Sequence, residues 1–245
     1  MTYNSAQKVG INLDSFALDG GKTYVFAFGS GAGGAKIASD GSTYSNVRIV
    51  VQQRNGTYDL ILDSVFLKNG NTVLTSDAST LNLGCYGNTV GICATKAAKG
   101  KNGEYCSSFW ISSINAGDGY NGNVAVVCSG KINITVSAKS TTIKGGEGGN
   151  GGDGGDCDGS GSTGGHGGDG GSGAWAIKAD TINVSFKNGA TKSNLNISGG
   201  AGGSGGEGGY GTIIGILGIG FKGNYGDNGS GGASATPSNV PINYL

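Results

Sequence analysis

Pairs of glycine recur with a period of three residues between residues 145 and 211. The triplets have the form Gly-Gly-X at residues 145–156, and they return at residues 164–173 and 199–210. A left-handed extended helix of the polyproline II type has three residues per turn, so this period places every X side chain on one ridge. Because glycine lacks a Cβ atom, the other two edges of such a helix can contact neighbouring backbones. The period therefore predicts a bundle of polyglycine II helices.

The residues at the X positions are nearly all polar, which predicts that the ridges face solvent. They are Glu147, Asn150, Asp153, Asp156, His166, Asp169, Ser172, Ala201, Ser204, Glu207 and Tyr210. A flexible linker is the alternative, because glycine-rich segments commonly form linkers and ordering glycine costs more entropy than ordering other residues. The constant register and the strand-like segments between the runs favour the ordered bundle.

Composition excludes several classes of protein. The 54 glycines accompany 2 prolines, which excludes collagen. The 16 basic and 16 acidic residues balance and form no basic cluster, so we expect neither a nucleic-acid partner nor attraction to an anionic membrane. The longest apolar run, residues 213–221, is shorter than the roughly 20 residues that span a bilayer, and the start of the chain does not resemble a secretory signal.

The five cysteines, at positions 85, 93, 106, 128 and 157, are odd in number and have no Cys-x-x-Cys spacing. This pattern argues against a disulfide framework and against a zinc site. We expect these residues to be small buried hydrophobes, and their oxidation state stays open.

The first 110 residues have the pattern of β structure with tight turns. Strand-like segments at residues 47–53 and 58–62 flank Asn55-Gly56, and Asn69-Gly70 lies between two further segments. Asn-Gly between such segments is a strong signal for a β-hairpin. With no helical periodicity, the pattern predicts an all-β attachment or assembly domain at residues 1–110 and essentially no α-helix.

An internal repeat marks residues 111–245 as a second, glycine-rich domain. Residues 112–123 align with residues 141–152, and residues 196–203 supply a third copy. The segments at residues 131–136 and 181–186 also correspond, and each places its apolar residues on one face at period two. Strands interleaved with glycine helices in repeating units predict solenoid-like stacking.

The catalytic and cofactor motifs in the sequence lack the neighbouring residues that they require. Residues 29–34 match the G-x-G-x-x-G nucleotide pattern, but the amphipathic helix that this motif requires does not follow. His166 is the only histidine, so a catalytic triad or a multi-histidine metal site has too few residues. Asp153, Asp156 and Asp158 half-resemble a calcium-binding nonapeptide, although solvated ridge carboxylates are the favoured interpretation. We expect no enzyme and no cofactor.

An apolar segment directly follows the last glycine run, at residues 212–221. It either packs against the bundle or forms an exposed patch of the kind that marks a partner site. In the second case, recognition extends over this segment, its aromatic neighbours and the polar loop at residues 157–163. The candidate residues are Tyr210, Ile213, Ile214, Ile216, Leu217, Ile219, Phe221, Tyr225, Asp158 and Ser160.

Glycine runs in triplet register, separated by other segments and preceded by a distinct N-terminal region, resemble the glycine-rich distal tail-fibre adhesins of T-even-like bacteriophages. The resemblance covers residues 114–232 at most. In that family the motifs form a sandwich of polyglycine II helices, loops at its end bind outer-membrane proteins or lipopolysaccharide, and the N-terminal domain caps the fibre. The resemblance implies that residues 157–163 and 212–225 are the receptor loops.

The sequence thus predicts a receptor-binding adhesin in the virion, at the tip of a phage tail or tail fibre. Its expected partners are a host-cell surface protein or polysaccharide and, through the N-terminal domain, a fibre or tail protein. Similar triplets also occur in bacterial surface proteins built as β-solenoids and in springtail antifreeze proteins. A structural or surface repeat protein, located at the cell surface or outside the cell, is therefore the alternative, and an ice-binding protein is the third.

Overall fold

Short strands that alternate apolar and polar residues make up most of the structure, because this alternation gives each strand one face to bury. The computed structural model of the chain describes residues 2–4, 20–27, 32–53, 55–107, 114–160, 162–212, 220–222 and 240–245. Within these ranges the chain is strand-rich and has one 3-10 turn, Lys192–Asn194, and no α-helix. The prediction of essentially no α-helix is confirmed for this part of the chain.

Three parallel sheets hold most of the strands, and consecutive strands pass from the first sheet to the second and then to the third. The first contains β1 (Thr2–Asn4), β2 (Thr23–Ala27), β5 (Arg48–Gln52), β8 (Leu74–Ser76), β11 (Val126–Cys128) and β15 (Ile177–Lys178). The second contains β3 (Ala32–Ala38), β6 (Thr57–Asp63), β9 (Thr80–Tyr86), β12 (Lys131–Val136), β16 (Thr181–Phe186) and β20 (Ile242–Tyr244). The third contains β4 (Thr43–Ser45), β7 (Phe66–Asn69), β10 (Thr89–Ala94), β13 (Ser140–Lys144) and β17 (Leu195–Ser198). Each pass through the three sheets is one coil of a parallel β-solenoid.

The core lies inside the coils, where apolar residues of successive coils stack in register. Leu81, Ile132 and Ile182 are aligned in the second sheet, and all three are fully buried. Phe186, at the end of β16, is partly buried against this core. Along β12 and β16 every second residue is apolar and points inward, which matches the one-sided apolar pattern predicted from the sequence.

The two hairpin predictions are wrong. β5 and β6 flank Asn55-Gly56 but lie in different sheets, and β5 pairs in parallel with β2 and β8. β7 and β8, around Asn69-Gly70, are likewise in different sheets. The Asn-Gly signal predicts a local reversal, whereas here the chain turns a corner because each strand buries its apolar face by stacking on other coils.

The glycine runs leave the solenoid at one corner, between a strand of the third sheet and the next strand of the first. This corner is short in the early coils, at residues 46–47 and 70–73, and long at residues 95–125 and 145–176. A third excursion begins after β17. We call residues 96–106, 146–156 and 200–210 the first, second and third outgoing runs, and residues 114–123 and 164–173 the first and second returning runs.

Backbone hydrogen bonds between runs recur at every third residue. In the second outgoing run, the N–H groups of Gly148, Gly151 and Gly154 donate to carbonyls of the third outgoing run at 2.7–2.9 Å. Residues of the second outgoing run also bond to both returning runs, as when Gly152 donates to the carbonyl of Gly117 at 2.9 Å. The runs therefore form two hydrogen-bonded layers, one outgoing and one returning, which we call the glycine stack.

Glycine is required inside the stack because neighbouring backbones occupy the space of a side chain. A Cβ atom on Gly149 would overlap the carbonyl oxygen of Ala98, and one on Gly151 would overlap that of Gly168. The X residues instead point outward: His166 and Glu207 are exposed, and Asp153 is half-buried. The three-residue period thus separates inward backbone contacts from outward side chains.

The first outgoing and returning runs lie at the edge of the stack and need fewer glycines. In the first outgoing run Ala97, Gly100, Gly103 and Cys106 donate to the second excursion, and most positions between them carry larger side chains. The predicted alignment of residues 112–123 with residues 141–152 is wrong, because residues 114–123 are a returning run that pairs with residues 164–173. The third copy is aligned correctly, since Ile143 of β13 pairs with Ile197 of β17.

β8 and β11, which lie on either side of the first excursion, pair in the first sheet. The division into domains at residues 1–110 and 111–245 stays a prediction. The nucleotide-like motif contributes Gly33 and Gly34 to β3, and β4 rather than a helix follows that strand.

Asparagine side chains form a ladder along the outer face of the second sheet. Asn133 Nδ2 donates to Asn82 Oδ1 at 2.8 Å, and Asn183 Nδ2 donates to Asn133 Oδ1 at 2.9 Å. Asn82 donates in turn to the carboxylate of Asp59 at 2.7 Å, which ends the chain of donors. Asn243 continues the ladder at the other end, donating to Asn183 at 3.1 Å.

The substitution Asn133→Asp is expected to lower the free energy of unfolding by about 1–2 kcal/mol. The new carboxylate can accept from Asn183 but cannot donate to Asn82, so two acceptors face each other in the ladder. Urea denaturation measures the change. The matched control is Asn196→Asp on the exposed face of β17, where we expect less than about 0.5 kcal/mol. Equal effects at both sites would contradict a stabilising ladder.

Candidate recognition tip

A small fourth sheet lies at the ends of the outgoing runs, opposite the ends that join the solenoid. It consists of β14 (Cys157–Ser160), β18 (Tyr210–Thr212) and β19 (Gly220–Lys222). β14 pairs in parallel with β18, and β18 pairs antiparallel with β19. Segments from the two candidate loops, which are more than 50 residues apart in sequence, are thus neighbours. We call this sheet, with the adjoining residues 104–107, 114 and 156, the tip.

A disulfide joins Cys106, at the end of the first outgoing run, to Cys157, the first residue of β14. The Asp158 N–H also donates to the Cys106 carbonyl at 3.2 Å. The sequence-based argument against disulfides is therefore wrong for this pair. Neither the odd number of cysteines nor their spacing could reveal it, because the two runs become neighbours only in the stack.

The other three cysteines are buried free thiols, as predicted from composition. Cys85, Cys93 and Cys128 lie in strands of the solenoid. Burial raises the pKa of the Cys85 thiol to about 12, and it also raises the pKa of Cys93 and Cys128. A raised thiol pKa disfavours the nucleophilic thiolate.

Asparagine and aspartate side chains at X positions connect adjacent runs. Asn102 Oδ1 accepts the Asp153 N–H at 3.2 Å, and Asp153 Oδ1 accepts the Glu207 N–H at 3.2 Å. Asp156 Oδ1 accepts the Tyr210 N–H at 2.7 Å. Side-chain oxygens therefore bind outward-facing N–H groups of the next run, and the X residues of the outgoing layer align in rows.

The last of these rows lies at the tip. Asn102 aligns with Asp153, so Tyr105 and Asp156, three residues further along each run, are also aligned. Asp156 aligns in turn with Tyr210. We call Tyr105, Asp156 and Tyr210 the tip row. Its tyrosines are 63% and 57% exposed, respectively, and Asp156 is also exposed.

The three calcium candidates bind different partners. Asp153 forms an ion pair with Lys99 at 2.7 Å, and this lysine lowers the pKa of the carboxyl group. Asp156 accepts a backbone N–H, and Asp158 accepts a hydrogen bond from the Tyr105 side chain. Within the described ranges, no three His, Cys, Asp or Glu side chains are grouped so that they could hold a metal ion. The geometry thus adds no support for calcium.

The structure describes only part of the predicted receptor surface. Tyr210 and Asp158 are exposed at the tip, Ser160 lies in β14, and Phe221 of β19 pairs with Gly211. The remaining predicted residues lie outside the described residues: Ile213, Ile214, Ile216, Leu217, Ile219 and Tyr225.

Sequence reasoning missed two exposed residues of the tip, Tyr105 and Ile114, which are 63% and 58% exposed. Both belong to the first excursion, whose runs contain fewer glycine pairs than the later ones. The spacing of Ala97, Gly100 and Gly103 was the available signal, since it carries the same period of three.

No helix in the part of the chain that the structure describes is long and apolar enough to cross a membrane. In comparisons of sequence and fold, the chain matches no protein-family model, no curated protein and no solved structure.

Proposed function

We propose that this chain is a non-enzymatic receptor-binding protein at the tip of a bacteriophage tail or tail fibre, where it recognises a protein or polysaccharide of the host-cell surface. The observation that carries the proposal is the meeting of both candidate loop segments, β14 and β18, at one end of the glycine stack. Loops presented by a rigid scaffold are a common place for recognition.

In this proposal the glycine runs are polyglycine II helices that act as a rigid spacer. Hydrogen bonds between runs at every third residue support this assignment, because a polyglycine II helix has three residues per turn. At about 3.1 Å per residue, an outgoing run of eleven residues separates the solenoid from the tip by roughly 30 Å. The spacer projects the tip toward the cell surface.

Exposed apolar side chains support a binding role for the tip. Tyr105, Ile114 and Tyr210 are all more than half exposed there, and exposed apolar groups gathered at one site mark interaction surfaces. Within residues 1–110, the coils before the first excursion, from β2 to β10, serve in this proposal as the attachment to a fibre or tail protein. Binding relies on shape and contact, without a chemical step.

Exchange of the tip tests the proposal. Labelled protein is added to a panel of bacterial strains, and cell-bound fluorescence is measured for the wild type and for a variant without the tip row. In this variant residues 156–163 and 210–222 become Gly-Ser linkers, and Tyr105→Ser is added. We expect the variant to lose at least tenfold in binding to every strain that the wild type binds. The matched control replaces the exposed turn at residues 187–189, at the solenoid.

Two outcomes would contradict the proposal. Unchanged cell binding by the tip variant would remove the tip from recognition. Absence of binding to any strain, together with assembly of the protein into filaments, would favour a structural repeat protein instead.

A further inference from the structure

We infer that the tip binds a basic loop of a host-surface protein, with arginine or lysine side chains placed against the tip row and Asp158. This inference rests on the proposed function and specifies the chemistry of the receptor. Three observations support it: the tip row is exposed and aligned, charged side chains lie around it, and these side chains are spread across the tip.

The tip row presents two aromatic side chains on either side of a carboxylate. Neighbouring backbones at the tip are close, as the Cα atoms of Cys106 and Cys157 are 4.5 Å apart. Tyr105 and Tyr210 lie on the first and third outgoing runs, so two inter-run steps separate them by about 10 Å. Both side chains are more than half exposed to solvent.

Negative charge surrounds these tyrosines. Glu104, Asp156 and Asp158 are all exposed at the tip, and these three carboxylates outnumber the two lysines beside them. Lys101 pairs with Glu104 at 3.3 Å, and Lys222 of β19 lies opposite Tyr210 in the sheet. The hydrogen bond with Asp158, and then the charges of Asp158 and Asp156, raise the pKa of the Tyr105 phenol. The described part of the tip thus combines negative potential with exposed aromatic rings, which together attract cations through charge pairing and cation–π contact.

The spread of these groups favours a polypeptide over a single small cation. A metal ion needs several oxygen ligands converging on one point, and no such group exists among the described residues. Asp156 and Asp158 instead bind different protein groups. The Asp156 carboxylate accepts the Tyr210 N–H, and the Asp158 carboxylate accepts a hydrogen bond from the Tyr105 phenol. A loop that carries two or more basic side chains can pair with both carboxylates and cover both rings.

A charge-neutralising variant of the tip tests the inference. Asp156→Asn combined with Asp158→Asn removes two charges, and the new amide oxygen at position 156 can still accept the Tyr210 N–H. The probe is a fluorescein-labelled Gly-Arg-Gly-Lys-Gly-Arg-Gly peptide, and the dissociation constant is measured by anisotropy at about 150 mM salt, where charge pairing is only partly screened. We expect binding to weaken about tenfold in this variant and by a similar factor in Tyr105→Ala combined with Tyr210→Ala.

The matched control is Asp118→Asn combined with Asp169→Asn, at X positions of the returning runs. It changes the net charge equally, and the new amide oxygen at position 118 can still accept the backbone N–H of residue 169. We expect less than a twofold change in probe affinity. Equal weakening in the tip and control variants, or no probe binding by the wild type, would overturn the inference.

Cell binding distinguishes this inference from the proposed function. We expect the tip double variant to bind cells about tenfold more weakly, and protease treatment of the cells to remove wild-type binding. If tip exchange abolishes cell binding while either of these treatments leaves it unchanged, the proposed function stands and the basic protein loop is excluded. If tip exchange leaves cell binding intact, the proposed function itself fails.

Discussion

Gly149→Ala is expected to lower the free energy of unfolding by about 2–3 kcal/mol, with a fall in Tm of roughly 5–10 °C. Gly149 is buried in the second outgoing run, and its new Cβ atom would overlap the backbone carbonyl oxygen of Ala98. A backbone carbonyl cannot rotate away as a flexible side chain does, so the first run must shift and its hydrogen bonds with the second must stretch. Thermal and urea denaturation measure the loss.

The control is the same substitution at Gly117, in the first returning run. There the nearest atom to a new Cβ is the Lys101 nitrogen at 3.4 Å, an ordinary contact distance. Alanine also reduces the entropy of the unfolded chain, so we expect Gly117→Ala to be neutral or to stabilise by up to about 1 kcal/mol. Similar losses at both positions would mean that close contact between runs does not hold the stack together.

Cys157→Ser is expected to destabilise the tip by about 2–4 kcal/mol under oxidising conditions. The disulfide with Cys106 closes a loop across a sequence separation of 51, so its removal gives the unfolded chain much more conformational freedom. It also releases the first outgoing run from the start of β14. We expect amide hydrogen exchange to rise at residues 157–160 and 210–212, while the solenoid strands stay protected.

Reductant provides the control for this prediction. In dithiothreitol the wild type and Cys157→Ser should have nearly the same stability, because neither contains the disulfide. Cys85→Ser is the comparison for a buried thiol, since its effect should not depend on reductant. If the stability of the wild type does not change with reductant, the disulfide contributes nothing to that stability.

Local patterns determine the strands and the small residues of the stack. β12 and β16 have the predicted bounds because alternation within six residues decides which face is buried. The hydrogen bonds of the glycine stack follow the period of three for a similar reason, since two bare positions per triplet allow close approach. Both patterns act over a few residues and therefore can be recognised in one sequence.

Partners that lie far apart along the chain could not be recognised in this way. The Asn-Gly pairs gave wrong hairpin predictions because a corner of a coil and a hairpin use similar turn residues, and only stacking on other coils selects the corner. The alignment of residues 112–123 with an outgoing run failed because triplet spacing does not distinguish the two directions of a run. Asn82, Asn133 and Asn183 are isolated polar residues in sequence and become a ladder only when the coils are in register.

By itself, the sequence determined the strand segments, the need for glycine at two of every three positions in the inner runs, and the outward direction of the X side chains. Only the tertiary structure decided that the three sheets of the solenoid are parallel, that Cys106 meets Cys157, and that Tyr105, Asp156 and Tyr210 form one row at the tip. The physical reason is the distance along the chain over which each interaction acts. Backbone geometry and side-chain burial depend on neighbours within a few residues, whereas register between coils depends on the packing of segments that lie far apart along the chain.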